Sequence, residues 1–164
     1  MKIKMMSSPN YEKDVISGKD GLRLLNISID PMYFANSNAV QGDIIQRTRS
    51  YASIVQSYDI LVHAPRGAGA PQADIASNVR VHPVRSQSKW LFPINAYRLG
   101  VKVCQEQKPD LIHAQDVFST GLIGYMLKKR FDLPLCFGFH GDTLDNPYWS
   151  GERSLNRILN RLGK

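Results

Sequence analysis

The sequence predicts an α/β fold: a doubly wound parallel sheet in strand order 3-2-1-4-5, with helices on both faces. Two observations carry this expectation. Residues 109–143, PDLIHAQDVFSTGLIGYMLKKRFDLPLCFGFHGDT, read as strand, polar loop, helix, strand and polar loop, and a right-handed crossover makes the two strands parallel. Upstream, the run LRLLNISI at 22–29 is rich in leucine and β-branched residues, the pattern of a strand buried on both faces.

Each element follows in order. Residues 1–20 are polar, with Ser7-Ser8-Pro9 and Gly18-Lys19-Asp20, and read as a flexible leader to a domain spanning 21–164. The first strand ends at Asp30-Pro31, and the loop MYFANSNAVQG leads to a helix opened by Asp43, with Ile44, Ile45, Thr48, Tyr51, Ala52 and Val55 at helical spacing. DILVHAP, from Asp59, is the second strand. Gly67-Ala68-Gly69 in the next loop lacks the helix that a dinucleotide fingerprint requires and meets Pro71 instead. VRVHPV from Val79 is the third strand, and a helix over Trp90–Gln107 carries Ile94, Tyr97, Leu99, Val101 and Val103. DLIHA is the fourth strand. The helix Gly121–Arg130 holds Leu122, Ile123, Tyr125, Met126 and Leu127 as apolar positions, Pro134 ends it, and LCFGF is the fifth strand. Asp145-Asn146-Pro147 turns into a last helix reaching Lys164.

With the first and fourth strands as central neighbours, the Asp30–Gly42 loop, Gln115-Asp116 and the His140 loop meet at one carboxyl-end crevice, where ligands collect in open parallel sheets. His140 ends a strand, Gly141 lets backbone approach a ligand, and Asp142 and Thr143 stand ready to set the histidine tautomer or bind hydroxyls. A hydrogen-bonded edge histidine is the rival reading of His140. Asp116 or Ser119 suits a helix cap as well as a crevice ligand, and the amides at Gly42-Asp43 suit an anion. His113, inside DLIHA, is expected to pack or hydrogen-bond within the sheet. The spacing of His63, His82, His113 and His140 gives no reason to expect a metal.

Composition sets the outer bounds. A chain of 164 residues, 43% hydrophobic and 21% charged, suits one domain burying roughly two-thirds of its unfolded surface. No run of about eighteen apolar residues and no apolar signal segment is present, so a cytoplasmic address is the default. Cys104 and Cys136 read as buried, inert thiols. The net charge of +7 implies an anionic partner. Lys128, Lys129 and Arg130 close a helix, where cations suit the macrodipole. Arg153, Arg157 and Arg161 share one helix face opposite Leu155, Ile158, Leu159 and Leu162. That face is either solvated or a peripheral contact with anionic lipid at the inner face of the membrane. Nucleic acid is not an expected partner, because the aromatics are not interleaved with the arginines.

The stretch from Pro109 to Thr143, and more loosely the chain back to Leu22, resembles the N-terminal domain of family 4 glycosyltransferases, whose members often read D-x-[IV]-H-x-[HQ], helix, proline, strand, F-H-G. The resemblance implies a Rossmann-like domain that is one half of a GT-B architecture, holding the acceptor while a C-terminal domain holds a nucleotide-sugar, with retention at the anomeric carbon and no cofactor or metal. It implies His140 and Gln115 as the catalytic pair contacting sugar hydroxyls, and Gly42, Asp116, Gly141 and Asp142 as substrate-binding residues. Three features depart from the family pattern: Gln115 stands where many members carry histidine, the first-loop glycine pair is reduced to Gly42, and the chain stops at Lys164 before a donor domain. The amide of Gln115 can position a hydroxyl but cannot serve as a general base. The expected function is therefore an acceptor-binding domain for hexose transfer from a UDP- or GDP-sugar to a glycan or glycolipid of the cell envelope, inactive without its donor domain. The alternative is a stand-alone flavodoxin-like module for a small ligand or phosphate.

Overall fold

Five parallel strands form a single sheet in the order β3-β2-β1-β4-β5 in the computed structural model, which describes residues 21–34, 43–64, 67–71, 75–86, 88 and 91–138. The strands are β1 (Arg23–Ser28), β2 (Ser57–Ala64), β3 (Val79–Arg85), β4 (Leu111–Ala114) and β5 (Leu135–Phe137). The helices are α1 (Ile44–Ala52), α2 (Phe92–Gln107) and α3 (Ser119–Phe131), with a 3-10 turn at Pro31–Tyr33. Every pairing within the sheet is parallel; α1 joins β1 to β2 and α3 joins β4 to β5 as crossover helices, whereas β2 reaches β3 without a helix among the described residues. The leader, the 35–42 loop with Gly42, Trp90, the stretch His140-Gly141-Asp142 and the expected last helix with its three arginines lie outside the described residues.

Side-chain alternation along the central strands sorts the core into two layers. On one face Leu25, Ile27, Leu61, Val84 and Ile112 meet Phe92, Ala96, Val103 and Cys104 of α2 and Ile123 and Leu127 of α3. On the other, Tyr58, Ile60, Val62 and Ala64 meet Tyr33, Phe34, Ile44 and Ile75. Fully burying one such side chain stabilises by about 1.5–3 kcal/mol, so the two layers supply most of the folding drive. Helices α2 and α3 end alike: Lys108 (φ 48°) and Asp132 (φ 53°) adopt the left-handed conformation, and Pro109 and Pro134 follow within two residues to stop the helix.

Several boundaries differ from the sequence expectation for local reasons. Helix α2 begins at Phe92, with Pro93 in its first turn, where a missing N–H costs nothing. Helix α1 stops at Ala52, leaving Val55 outside it, and Tyr51 is exposed rather than packed. Cys136 is exposed, not buried, because no described helix covers the α1 side of β5. Cys104 is buried as expected, and burial, then the Asp59 charge, pushes its thiol up to about 11. In α3 the packing is done by Thr120, Gly121, Ile123, Gly124 and Leu127, while Leu122, Tyr125 and Met126 point outward. Small residues let the helix lie close to the sheet: a Cβ at Gly124 would stand 2.8 Å from Leu135 Cδ1. No helix among the described residues is long and apolar enough to cross a membrane.

One buried charge ties β2 to the edge strand β3. The Asp59 side chain is 3% exposed and accepts from Arg80 at 2.8 and 2.9 Å and from His82 Nε2 at 2.7 Å. Burial alone raises its pKa, but the hydrogen bonds from His82 and Arg80 outweigh that and leave it below the usual carboxylate value. A depressed folded-state pKa stabilises above the unfolded value, about 4, and that contribution is lost as pH falls through the folded value. Asp59→Ala is therefore expected to cost roughly 3–5 kcal/mol at neutral pH, the order seen when one member of a buried pair is removed. Urea titrations across pH 2–7 should show the wild type losing stability more steeply than the variant below about pH 4.

Candidate functional site

The carboxyl edge of the sheet is organised by polar side chains of β1 that have no water to turn to. Asn26 and Ser28 are 4% and 0% exposed. Both are satisfied from β4 and the residue just past it: His113 Nδ1 lies 2.8 Å from Asn26 Oδ1, and Ser28 Oγ donates to Gln115 Oε1 at 2.6 Å. Because Asn26 Oδ1 can only accept, His113 Nδ1 is the donor, and Nε2 turns toward Gly138. The expectation that His113 hydrogen-bonds within the sheet is what the structure shows.

Gln115 does more than extend its strand. Its Oε1 also accepts from the Ile29 N–H at 3.2 Å, and Ser28 Oγ in turn accepts from the Asp30 N–H at 3.0 Å. The glutamine thus fixes the chain as it leaves β1, and its amide nitrogen makes no hydrogen bond among the described residues. Asp30 Oδ1 then accepts from the Met32 N–H at 2.9 Å and starts the 3-10 turn. Tyr33 and Thr48 close the layer beneath α1 with a 3.0 Å contact between their hydroxyls. Burial, only partly offset by the bond to Thr48, raises the Tyr33 pKa and keeps the phenol neutral.

Asp116 does not cap α3 but folds back on its own loop. Its Oδ1 accepts from the Phe118 N–H at 2.7 Å, while Thr120 Oγ1 accepts from the Asp116 N–H at 2.9 Å and lies 2.9 Å from Oδ2. This closed ring shapes the entry to α3 without a side-chain cap at Phe118. Gly121 permits it, since a Cβ there would stand 2.8 Å from the Asp116 carbonyl oxygen. Ser119 does not cap the helix either.

Two hollows flank the Gln115 ledge. The larger, about 280 Å³, opens on the α2 and α3 side and is lined by Ile29, His63, Phe92 and Ser119. His63 stands edge-on to Phe92, with ring centres 5.0 Å apart. The smaller, about 90 Å³, lies under α1 and includes Asn26, Arg47, Thr48, His113, Gln115 and Gly138. The structure therefore brings Gln115 to the crevice, and Gly138, whose N–H donates to Ala114 O at 2.8 Å, lies beside it. Gly42, His140, Gly141 and Asp142 lie outside the described residues. Sequence reasoning missed Ile29, His63 and Phe92 as cavity walls. The available signal was position: His63 falls at the carboxyl end of β2, just past the Ser28–Val62 register pair. Among the described residues, no three of His, Cys, Asp and Glu gather as metal ligands do.

The comparison with known sequences decides the family at this point. Residues 52–164 match the model of Glycosyltransferase Family 4. The chain belongs to that family. An uncharacterized glycosyltransferase of Methanocaldococcus jannaschii is 33% identical over 67 residues, 39% of this chain and 19% of that protein. Among solved structures, a UDP-N-acetylglucosamine 2-epimerase superposes with a TM-score of 0.51 at 13% identity, covering 86% of this chain and 39% of its own. The UDP-GlcNAc 2-epimerase of M. jannaschii gives 0.48 at 13%, covering 84% and 36%. At this identity the first of these speaks for the fold alone. The match spans under a fifth of the curated relative's length, and this chain under two-fifths of either solved chain's.

Removing the shared acceptor should be felt on both strands. Gln115→Ala is expected to lower stability by about 1–3 kcal/mol, since the buried Ser28 hydroxyl and the Ile29 N–H lose their partner. Gln115→Glu keeps an acceptor there and should recover most of the loss in urea unfolding. At Gly138 a Cβ would stand 2.7 Å from His113 Nε2. Gly138→Ala should therefore push the imidazole off Asn26, seen as a shift of the His113 ring signals in NMR spectra.

Proposed function

We propose that residues 21–164 form the acceptor-side domain of a retaining glycosyltransferase, which passes a hexose from a nucleotide-sugar to a glycan or glycolipid acceptor. Membership of the family, together with a cavity of about 280 Å³ at the carboxyl edge of β1, β2 and β4, supports this reading. The single observation that supports it is the Gln115 bridge: it fixes Ile29 as a wall of that cavity, while Gln115 itself lines the smaller hollow beside it and its amide nitrogen makes no hydrogen bond among the described residues. In this reading the nucleotide-sugar is held by a second α/β domain across the crevice. Gln115 acts by positioning, and His140 with Gly42, Gly141 and Asp142 completes the acceptor rim. Asp116 contributes indirectly, by shaping the loop that carries Gln115 into α3.

Calorimetry on the 164-residue chain tests the division of labour. UDP- and GDP-hexoses are expected to bind it negligibly. Binding at millimolar affinity or tighter, retained by the chain alone and lost in His140→Ala, would instead identify a stand-alone ligand module.

A further inference from the structure

Helices α2 and α3 both leave the carboxyl edge of the sheet and run back toward its amino edge, lying side by side on one face. Their outer surfaces repeat one pattern. Near the carboxyl edge they expose large apolar side chains: Leu91 (43%) and Ile94 (50%) at the start of α2, and Leu122 (52%), Tyr125 (50%) and Met126 (38%) in the first half of α3. Toward the amino edge they turn cationic, with Arg98 and Lys102 on α2 and Lys128, Lys129 and Arg130 closing α3. Lys129 Nζ sits 5.8 Å from the Tyr125 ring centre, over its face. Glu106, 3.9 Å from Lys102, is the sole carboxylate within either helix.

Leu122, Tyr125, Met126 and Lys129 follow the three- and four-residue spacing of one helix face, and Leu91, Ile94, Arg98 and Lys102 do the same on α2. Macrodipole complementarity explains cations at a helix end, but not the exposed apolar half that precedes them. An anionic bilayer has a use for both halves, since apolar side chains enter the acyl boundary while lysine and arginine reach the headgroups.

We infer that the outer face of α2 and α3 is a docking surface for an anionic lipid bilayer, with Leu122, Tyr125 and Met126 as the inserting residues and Lys128, Lys129 and Arg130 as the headgroup contacts. This surface is made of other residues than the Arg153, Arg157 and Arg161 that the sequence suggested, which lie outside the described residues. It does not depend on sugar transfer, so the two proposals fail independently.

The test is co-sedimentation of the full chain with phosphatidylglycerol–phosphatidylcholine vesicles and with phosphatidylcholine vesicles. Binding is expected to the first and not the second, and to weaken with salt. At about 1 kcal/mol per cation, Lys128→Gln/Lys129→Gln/Arg130→Gln should lower the partition coefficient on the order of a hundred-fold. Leu122→Ser/Tyr125→Ser/Met126→Ser should lower it at least ten-fold with the far-UV circular dichroism unchanged, because all three side chains are solvent-facing. The inference is overturned if the wild type ignores anionic vesicles. It is equally overturned if both α3 variants bind like wild type while Arg153→Gln/Arg157→Gln/Arg161→Gln does not. It also fails if the serine variant changes only self-association, read by sedimentation without lipid, which would make the face a contact between copies of the chain.

Discussion

Two buried polar side chains on the central strand govern how this domain is put together. Asn26 and Ser28 sit in β1, flanked by β2 and β4, where an unpaired amide or hydroxyl would cost several times what a satisfied one contributes. Each finds its partner on β4 or the residue that follows it, Asn26 with His113 and Ser28 with Gln115. Because side chains alternate along a strand, a slip of one residue in the β1–β4 register would break both bonds and turn Leu25 and Ile27 to the wrong layer. Polar satisfaction and apolar burial therefore select the same register, and that register delivers Gln115 to the end of β1. The crevice is a consequence of strand pairing.

The two ends of the sheet use polar groups differently. At the amino end, the Asp59 carboxylate is enclosed and accepts from both Arg80 and His82, and the nearby Cys104 thiol is held protonated by burial. At the carboxyl end, Gln115 spends one end of its amide on the strands and keeps the other. A group wholly consumed by its neighbours stabilises. A group half consumed is positioned and still able to bind.

Much of this architecture was legible in the sequence. LRLLNISI, DILVHA and DLIHA are short apolar runs bounded by turn residues, and right-handed crossovers leave few ways to order them. What was not legible follows from side-chain direction. Residues 121–130 contain five large apolar residues, and counting them does not reveal that Gly121 and Gly124 bring the helix so close that only Ile123 and Leu127 fit underneath. At the site, strand-end position placed Gln115 at the carboxyl edge, where its bonds to Ser28 and Ile29 hold it. Whether Asp116 faces the crevice or folds back to Phe118 and Thr120 depends on one rotamer, and spacing alone does not choose it. His63 escaped notice for a related reason: it lines the cavity together with Phe92, its edge-on neighbour from the far end of the β3–α2 connection.

The cavity and the proposed docking face share their supports. Phe92 and Ser119, which line the cavity, belong to the first turns of α2 and α3, and those same turns present Ile94 and Leu122 outward. A helix with its side chains is about 10 Å across, so a bilayer touching the outer face stands roughly one helix diameter from the cavity. An acceptor whose lipid stays in that bilayer then has only its polar head to extend past α3 to reach Ile29 and Gln115. Taken together, the two proposals link membrane docking to acceptor choice: the proposed docking face would bring a lipid-anchored acceptor to the crevice at high local concentration and would do nothing for a soluble glycan.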